Sequence, residues 1–148
     1  MYHVILVLHN LVRWVVIVLA VLAIGRAYLG WFGKKVYTET DRKVGVYFTS
    51  ALDTQVLLGL ILYFFFSPVG LQAFFNGGLQ QPQGVFFAIL HEVLMIIGVG
   101  LAHMGSMLPR KVQEAAQKHP RAALFFTLSV VVILIGIPWT RPLFRWFG

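Results

Sequence analysis

Long apolar runs separated by short polar connections form the main pattern of this chain. The runs are Val4–Ile24, Val44–Phe66, Val85–Met107 and Ala122–Trp139. Each approaches or exceeds the roughly 18–20 residues that a helix needs to cross a hydrocarbon core. We therefore expect membrane-spanning helices at about residues 4–27, 44–66, 85–107 and 121–139. Short connections favour antiparallel neighbours, so the pattern predicts an all-α, single-domain, antiparallel four-helix bundle in up-down-up-down order.

The composition favours a membrane protein and excludes several function classes. Of the 148 residues, 59% are hydrophobic and 11% are charged, whereas soluble domains carry about a quarter charged residues. The chain has no cysteine, which excludes disulfides, iron–sulfur clusters and covalently attached haem. Nucleophile-elbow, phosphate-loop and zinc motifs are also missing, which excludes a soluble-type hydrolase. The first run lacks a preceding basic region and a small-residue cleavage site, so we expect a retained helix.

The net charge of +7 is concentrated in the first and third connections. The basic residues there are Arg26, Lys34, Lys35, Arg42, Lys43, Arg110, Lys111, Lys118 and Arg121. Residues 67–84 carry no charge, and Arg141 and Arg145 are minor exceptions. Because positive residues accumulate on the cytoplasmic side, we expect both termini and the 67–84 loop on the extracytoplasmic side of a bacterial inner membrane. Without a nucleic-acid motif, the charge indicates topology and contact with lipid headgroups.

Turn-forming residues predict where the helices begin and end. Thr40 or Asp41 is the expected N-cap of the second helix. Ser67-Pro68, Leu108-Pro109-Arg110 and Pro138 are expected to end the second, third and fourth helices. A short interfacial helix is predicted within residues 70–78.

Ionisable residues lie inside the predicted spans, where they normally face the bundle interior. At 1.5 Å per residue, His9 and His91 both lie about 7–9 Å from the outer ends of helices 1 and 3. These helices are expected to be diagonal neighbours across the core, so the two imidazoles can supply both axial ligands of one haem. Gly59 and Gly98 are expected to leave room for it. The alternative is that each histidine is only a hydrogen-bonded polar residue.

Arg13 lies one helical turn deeper than His9 on the same face and requires a counter-charge. Asp53 is the first candidate, Glu92 the second and a haem propionate the third. A structural ion pair with Asp53 is favoured over a catalytic role, although Arg13, Asp53 and Glu92 together could carry protons or contact a quinone. Gln55 points about 200° away from Asp53 and is expected to form an interhelical hydrogen bond.

The remaining histidines are given no ligand role. His103 lies on a different face of helix 3 from His91, and the inner halves of helices 1 and 2 contain no histidine to pair with it. One haem is therefore the predicted maximum. His3 and His119 are expected to be interfacial or exposed to solvent.

Short motifs in all four spans resemble one group of proteins. The motifs are LHNLVRW, LDTQVLLGLILYFFFSP, FFAILHEVLM, LAHMG and IPW. Together they resemble small four-helix bacterial membrane proteins of the cytochrome b or cytochrome b561-like type. The resemblance matches His9, Arg13, Gln55 and His91 to the motif residues of that group, and it implies a b-type haem and electron transfer with a quinone or partner redox protein. Relatives often carry histidine where this chain has Asp53.

Three functions follow as hypotheses. The first is a membrane electron-transfer protein, rather than a self-contained enzyme, that holds one haem b between His9 and His91, with quinone as a further candidate cofactor. The second is a cofactor-free accessory subunit of a respiratory or photosynthetic complex. The third is a small proton-coupled transporter that uses Arg13, Asp53 and Glu92. The expected partners are the lipid bilayer and either other membrane redox subunits or further copies of this chain.

Overall fold

The computed structural model describes residues 1–139, so Arg141 and Arg145 lie outside the described residues. Its four long helices are α1 (Tyr2–Phe32), α2 (Glu39–Ile61), α3 (His91–Lys111) and α4 (Lys118–Gly136). A π-helical turn, Leu62–Phe66, extends α2, while Pro82–Val85 and a second π-helical turn, Phe86–Leu90, precede α3. Together these segments form four helices that are long and apolar enough to span a membrane.

The helices pack as a bundle in which consecutive helices are antiparallel neighbours. The most extensive interfaces join α1 to α2 and α3 to α4, while α1–α4 and α2–α3 contacts close the bundle. Helices α1 and α3 are therefore diagonal, as predicted. We call the end that contains Tyr2 and residues 67–81 the N-terminal end. The opposite end, with the connections at residues 33–38 and 112–117, is the basic end.

Small residues on α1 allow its neighbours to pack closely. The buried positions of α1 recur at alternating spacings of four and three residues: Val16, Ala20, Ala23, Ala27 and Gly30. This spacing places them on one stripe of the helix. Phe48 and Leu52 of α2 fill the centre of the bundle, where the Phe48 ring meets the edge of the Phe126 ring from α4.

Glycines bring α3 and α4 together in the same way. A Cβ atom on Gly105 would lie 2.5 Å from the Phe126 ring, and one on Gly98 would lie 2.8 Å from Ile133 Cγ1. The Ser129 hydroxyl donates a hydrogen bond to the Gly98 carbonyl at 2.7 Å. The structure thus corrects the expectation that Gly98 leaves room for a cofactor, because α4 covers this part of α3.

The N-terminus of α2 begins earlier than the sequence predicted. Thr38 is the N-cap, and its hydroxyl accepts a hydrogen bond from the Asp41 backbone N–H at 3.3 Å. The Asp41 carboxylate in turn accepts one from the Thr38 backbone N–H at 2.8 Å, which completes a capping box. Arg26 Nε also donates to Asp41 at 2.8 Å, so this carboxylate ties α1 to α2. The prediction of a cap at Thr40 or Asp41 was wrong because Asp41 occupies the third helical position instead.

His119 is buried at the basic end, contrary to the prediction that it is interfacial or exposed to solvent. Only 3% of its surface is accessible, and its ring lies where a side chain on Gly30 would otherwise stand. The Tyr37 ring packs against it at 5.1 Å between centroids. Burial, and then the Asp41 carboxylate, raise the pKa of the Tyr37 hydroxyl. Because α4 begins at Lys118, His119 lies in its first turn and faces α1 rather than solvent.

The other boundaries differ from prediction by small amounts. α2 and its π-helical turn end at Phe66, next to Ser67-Pro68 as expected. Pro109 does not end α3, which continues to Lys111. Residues 70–78 contain 3₁₀ turns, Leu71–Phe74 and the start of Gly78–Gln80, instead of a regular interfacial helix.

Candidate ligand site between α1 and α3

A cavity of about 160 Å³ lies toward the N-terminal end of the bundle, between α1 and α3. Residues from all four helices and from the 67–81 connection line it. Its polar side chains are Tyr2, His9, Asn10, Arg13, Gln55, Tyr63, Ser67, His91 and Glu92. We call it the polar cavity. Apolar side chains such as Leu52, Met95 and Ile133 form the rest of its wall.

His9 is positioned by two residues of α2. Its Nε2 lies 3.1 Å from Nε2 of Gln55, so the amide donates a hydrogen bond to the ring, as predicted for an interhelical role of Gln55. A Cβ atom on Gly59 would lie 3.4 Å from His9 Cε1, so the glycine makes space for the imidazole. Nδ1 of His9 and Oε1 of Gln55 are buried and have no hydrogen-bond partner within residues 1–139. Buried polar atoms rarely lack a partner, so this N–H donor and this carbonyl acceptor are candidate contacts for a bound molecule or a water.

His91 is positioned by α4. Its Nδ1 lies 2.7 Å from the Gly136 carbonyl oxygen, which can only accept, so Nδ1 carries the proton. In neutral imidazole, the other nitrogen, Nε2, then keeps its lone pair. The rings of Phe86 and Phe87 lie within 6.0 Å of the imidazole, centroid to centroid. This is the arrangement in which a histidine acts as a metal ligand, with its second nitrogen bonded to a carbonyl.

Two π-helical turns lie beside the polar cavity. The Tyr63 hydroxyl, in the turn Leu62–Phe66, donates to the carbonyl of Ala88, in the turn Phe86–Leu90, at 3.1 Å. Single π-helical turns are rare and are frequent at functional sites. No sequence pattern indicates these turns, because both segments are simple apolar runs.

The structure brings most of the predicted site residues together and separates two of them. His9, Arg13, Gly59, His91 and Glu92 all line the polar cavity. The Arg13 guanidinium also lies 6.0 Å from the centroid of the Trp14 ring. Asp53 is outside the cavity, on the far side of α2, where it accepts a hydrogen bond from His103 Nε2 at 2.9 Å. Gly98 is outside it as well, against α4.

The donors and the space of the polar cavity favour different ligands. Two imidazoles that line one cavity are the residue type that serves as axial ligands of a haem, and within residues 1–139 no cluster of three or more histidine, aspartate or glutamate side chains offers a larger metal site. The volume is close to that of an engineered cavity of about 150 Å³ that binds benzene. As it stands, the cavity therefore has space for a single six-membered ring but not for a macrocycle. Comparisons of the chain with protein-family models, with curated proteins and with solved structures return no match.

Proposed function

We propose that this protein is an integral membrane b-type cytochrome that holds one haem between α1 and α3 and exchanges electrons with a quinone or a partner redox protein. The observation that carries the proposal is that His9 and His91, on diagonal helices, line the same cavity. The resemblance of the sequence motifs to the cytochrome b561-like type points in the same direction.

The membrane setting is part of the proposal. All four helices are long and apolar enough to cross a bilayer, and the charged connections lie together at the basic end. By the positive-inside rule, that end faces the cytoplasm and the polar cavity lies in the outer half of the membrane. The location that follows is the bacterial inner membrane, with the lipid bilayer as the first partner.

The donor set supports haem at this position. His91 offers Nε2, because its Nδ1 is bonded to the Gly136 carbonyl. Nε2 of His9 accepts the Gln55 amide, which leaves the proton on Nδ1, so His9 would offer Nε2 in place of that hydrogen bond. When bound, a haem supplies one-electron transfer. The protein contributes the two imidazoles, a glycine at position 59 beside the His9 ring, and the charges of Arg13 and Glu92 on the cavity wall.

The polar cavity must become wider for a macrocycle to bind. At about 160 Å³ the cavity is too small, so α1 and α3 must lie farther apart in the loaded protein. Such a movement would leave the most extensive interfaces, α1–α2 and α3–α4, in place, but it would open the α1–α4 and α2–α3 contacts that close the bundle.

A second candidate function is the binding of a quinone headgroup without haem. The volume of the cavity favours it, since a benzoquinone headgroup is built on a single six-membered ring, whereas a haem is a macrocycle. His9, Arg13 and Gln55 carry groups that can hydrogen-bond to the two ring oxygens, and the apolar wall suits the ring faces. No observation favours the accessory-subunit hypothesis in particular. The transporter hypothesis is weakened, because Asp53, one of its three residues, lies outside the polar cavity.

A difference spectrum of the purified full-length protein, reduced minus oxidised, tests the proposal. We expect a b-type band in the wild type, its loss in His9→Ala and His91→Ala, and its retention in His103→Ala. His103 is the matched control because it lies outside the polar cavity. A wild type without a band but with extractable quinone establishes the second candidate, and a protein with neither contradicts both.

A further inference from the structure

Asp53 and His103 form a polar pair on the outside of the bundle. Asp53 lies midway along the apolar span Glu39–Phe66, and its carboxylate accepts a hydrogen bond from His103 Nε2 of α3 at 2.9 Å. The two side chains are 49% and 42% exposed. If the helices cross a bilayer as proposed above, this pair faces hydrocarbon. Such exposure is costly for ionisable groups, which normally face protein or a water-filled cavity.

The pair lies among small, polar and apolar side chains on the same surface, and the exposed Leu57 and Ile96 lie one turn from Asp53 and Gly100. Ser50 and Thr54 of α2 are exposed beside it, and a Cβ atom on Gly100 of α3 would meet nothing within 4 Å. We call this surface, formed by Ser50, Asp53, Thr54, Gly100 and His103, the α2–α3 face. Small residues on a membrane helix allow another helix to approach its backbone closely.

The surfaces of α1 and α4 are apolar at this depth. Every exposed side chain between residues 4 and 24 of α1 and between residues 124 and 136 of α4 is apolar. These surfaces suit direct contact with lipid chains. The contrast singles out the α2–α3 face as the part of the described surface that requires a protein cover.

The hydrogen-bonding groups of the pair indicate which protein surface packs against it. His103 uses Nε2 toward Asp53, which leaves Nδ1 as one further donor or acceptor, and Asp53 uses Oδ1, which leaves Oδ2 as one further acceptor. Neither group forms another hydrogen bond within the part of the chain that the structure describes. A second donated bond needs His103 as the imidazolium of this ion pair, in which both nitrogens donate; the pair then presents one donor, Nδ1–H, and one acceptor, Oδ2, side by side. A surface of this kind is complementary to itself across a two-fold axis, which is the commonest symmetry of homo-oligomers.

We propose that the α2–α3 face is the interface of a symmetric homodimer, in which Asp53 of each copy accepts a hydrogen bond from His103 of the other. The two pairs then form a closed ring of four hydrogen bonds that is shielded from lipid. The inference rests on the proposed membrane insertion but not on the ligand of the polar cavity.

Cysteine cross-linking in liposomes tests the dimer, because the chain has no cysteine of its own. Ser50→Cys replaces one small exposed group on the proposed interface with another, and Val131→Cys, 47% exposed on α4, is the matched control. At a low ratio of protein to lipid, mild oxidation should link Ser50→Cys into disulfide-bonded dimers and leave Val131→Cys monomeric. Equal cross-linking of the two variants, or none in either, would overturn the proposal.

Removing the polar pair should abolish the association. In the Ser50→Cys background, Asp53→Leu/His103→Leu should reduce the cross-linked fraction roughly tenfold, because the hydrogen bonds between the helices are lost. An unchanged fraction would contradict the proposed bonds. The mass of the wild type in mild detergent is a second measurement: it should equal two chains. A single chain, or one chain bound to a different protein, overturns the homodimer.

The homodimer and the ligand of the polar cavity can be tested independently of each other. Asp53 and His103 lie outside the polar cavity, so the Leu/Leu variant should keep the haem or quinone content of the wild type. Loss of the dimer with an unchanged ligand leaves the proposed function intact. An intact dimer without haem or quinone contradicts the proposed function alone.

Discussion

At the scale of single residues, the polar groups of α1 are explained by what they contact. The sequence LHNLVRW places His9 and Arg13 within an apolar helix, and both line the polar cavity. Helical periodicity was sufficient to predict that His9 and His91 share a site and that Gln55 and Asp53 do not. It was not sufficient to predict the partner of Asp53, because His103 reaches it from another helix on the outside of the bundle.

The space beside the His9 ring depends on Gly59. A leucine there would extend from a Cβ position that already lies 3.4 Å from His9 Cε1, and so would displace the imidazole. We expect Gly59→Leu to lose the ligand of the polar cavity while the protein stays folded. Gly25→Leu is the control, because a Cβ atom on Gly25 meets nothing within 4 Å. Haem or quinone content per chain is the measurement, and equal content in the two variants would contradict the assigned role.

At the scale of the helices, the sequence predicted four elements and their order correctly and their ends less well. Apolar run length sets the position of a span, whereas a helix end depends on which polar group caps it. At α2 the competing caps Thr38, Thr40 and Asp41 lie within four residues, and only the structure shows the reciprocal bonds between Thr38 and Asp41. The π-helical turns beside the cavity could not be predicted, because their side chains carry no distinguishing pattern.

The capping box of α2 gives a prediction about stability. Thr38→Ala removes the hydroxyl that accepts the Asp41 N–H bond, so we expect a loss of about 1 kcal/mol in the free energy of unfolding. Thr40→Ala removes a hydroxyl that is not the cap and should change it by less than about 0.5 kcal/mol. Thermal unfolding in detergent, followed by circular dichroism, compares the two. The opposite ranking would restore the sequence-based prediction of a cap at Thr40.

The contact between α1 and α4 at the basic end depends on Gly30. Any side chain at this position would overlap the His119 ring, so Gly30→Ala should destabilise the protein by about 1–3 kcal/mol. Gly25→Ala, in open space, should be neutral or slightly stabilising, because alanine has the higher helix propensity. The double variant Gly30→Ala/His119→Ala removes the overlap, and its melting temperature should recover part of the loss. No recovery would mean that His119 is not the cause.

At the scale of the whole molecule, composition and run length predicted the all-α class and the diagonal placement of α1 and α3. The sequence could not give the size of the space between them, because that depends on how closely small residues draw the helices together. Gly98 illustrates the point: periodicity places it on the same face as His91, but α4 covers it. His119 is a second example, since its burial results from an α1–α4 contact that no local pattern encodes.

The proposed orientation in the membrane is testable with single cysteines. Gln80→Cys places a thiol at the N-terminal end of the bundle, and Lys35→Cys places one at the basic end; both positions are exposed. A membrane-impermeant maleimide should label Gln80→Cys in intact spheroplasts, and Lys35→Cys only after permeabilisation. The reverse pattern would place the polar cavity in the cytoplasmic half of the membrane.

In the proposed function, His9 and His91 hold one haem between them. The most direct measurement is the haem content of the full-length protein after purification from haem-replete cells. We predict one haem per chain in the wild type and in His103→Ala, and none in His9→Ala or His91→Ala. A wild-type protein without haem, or full haem content in both cavity variants, would contradict the claim.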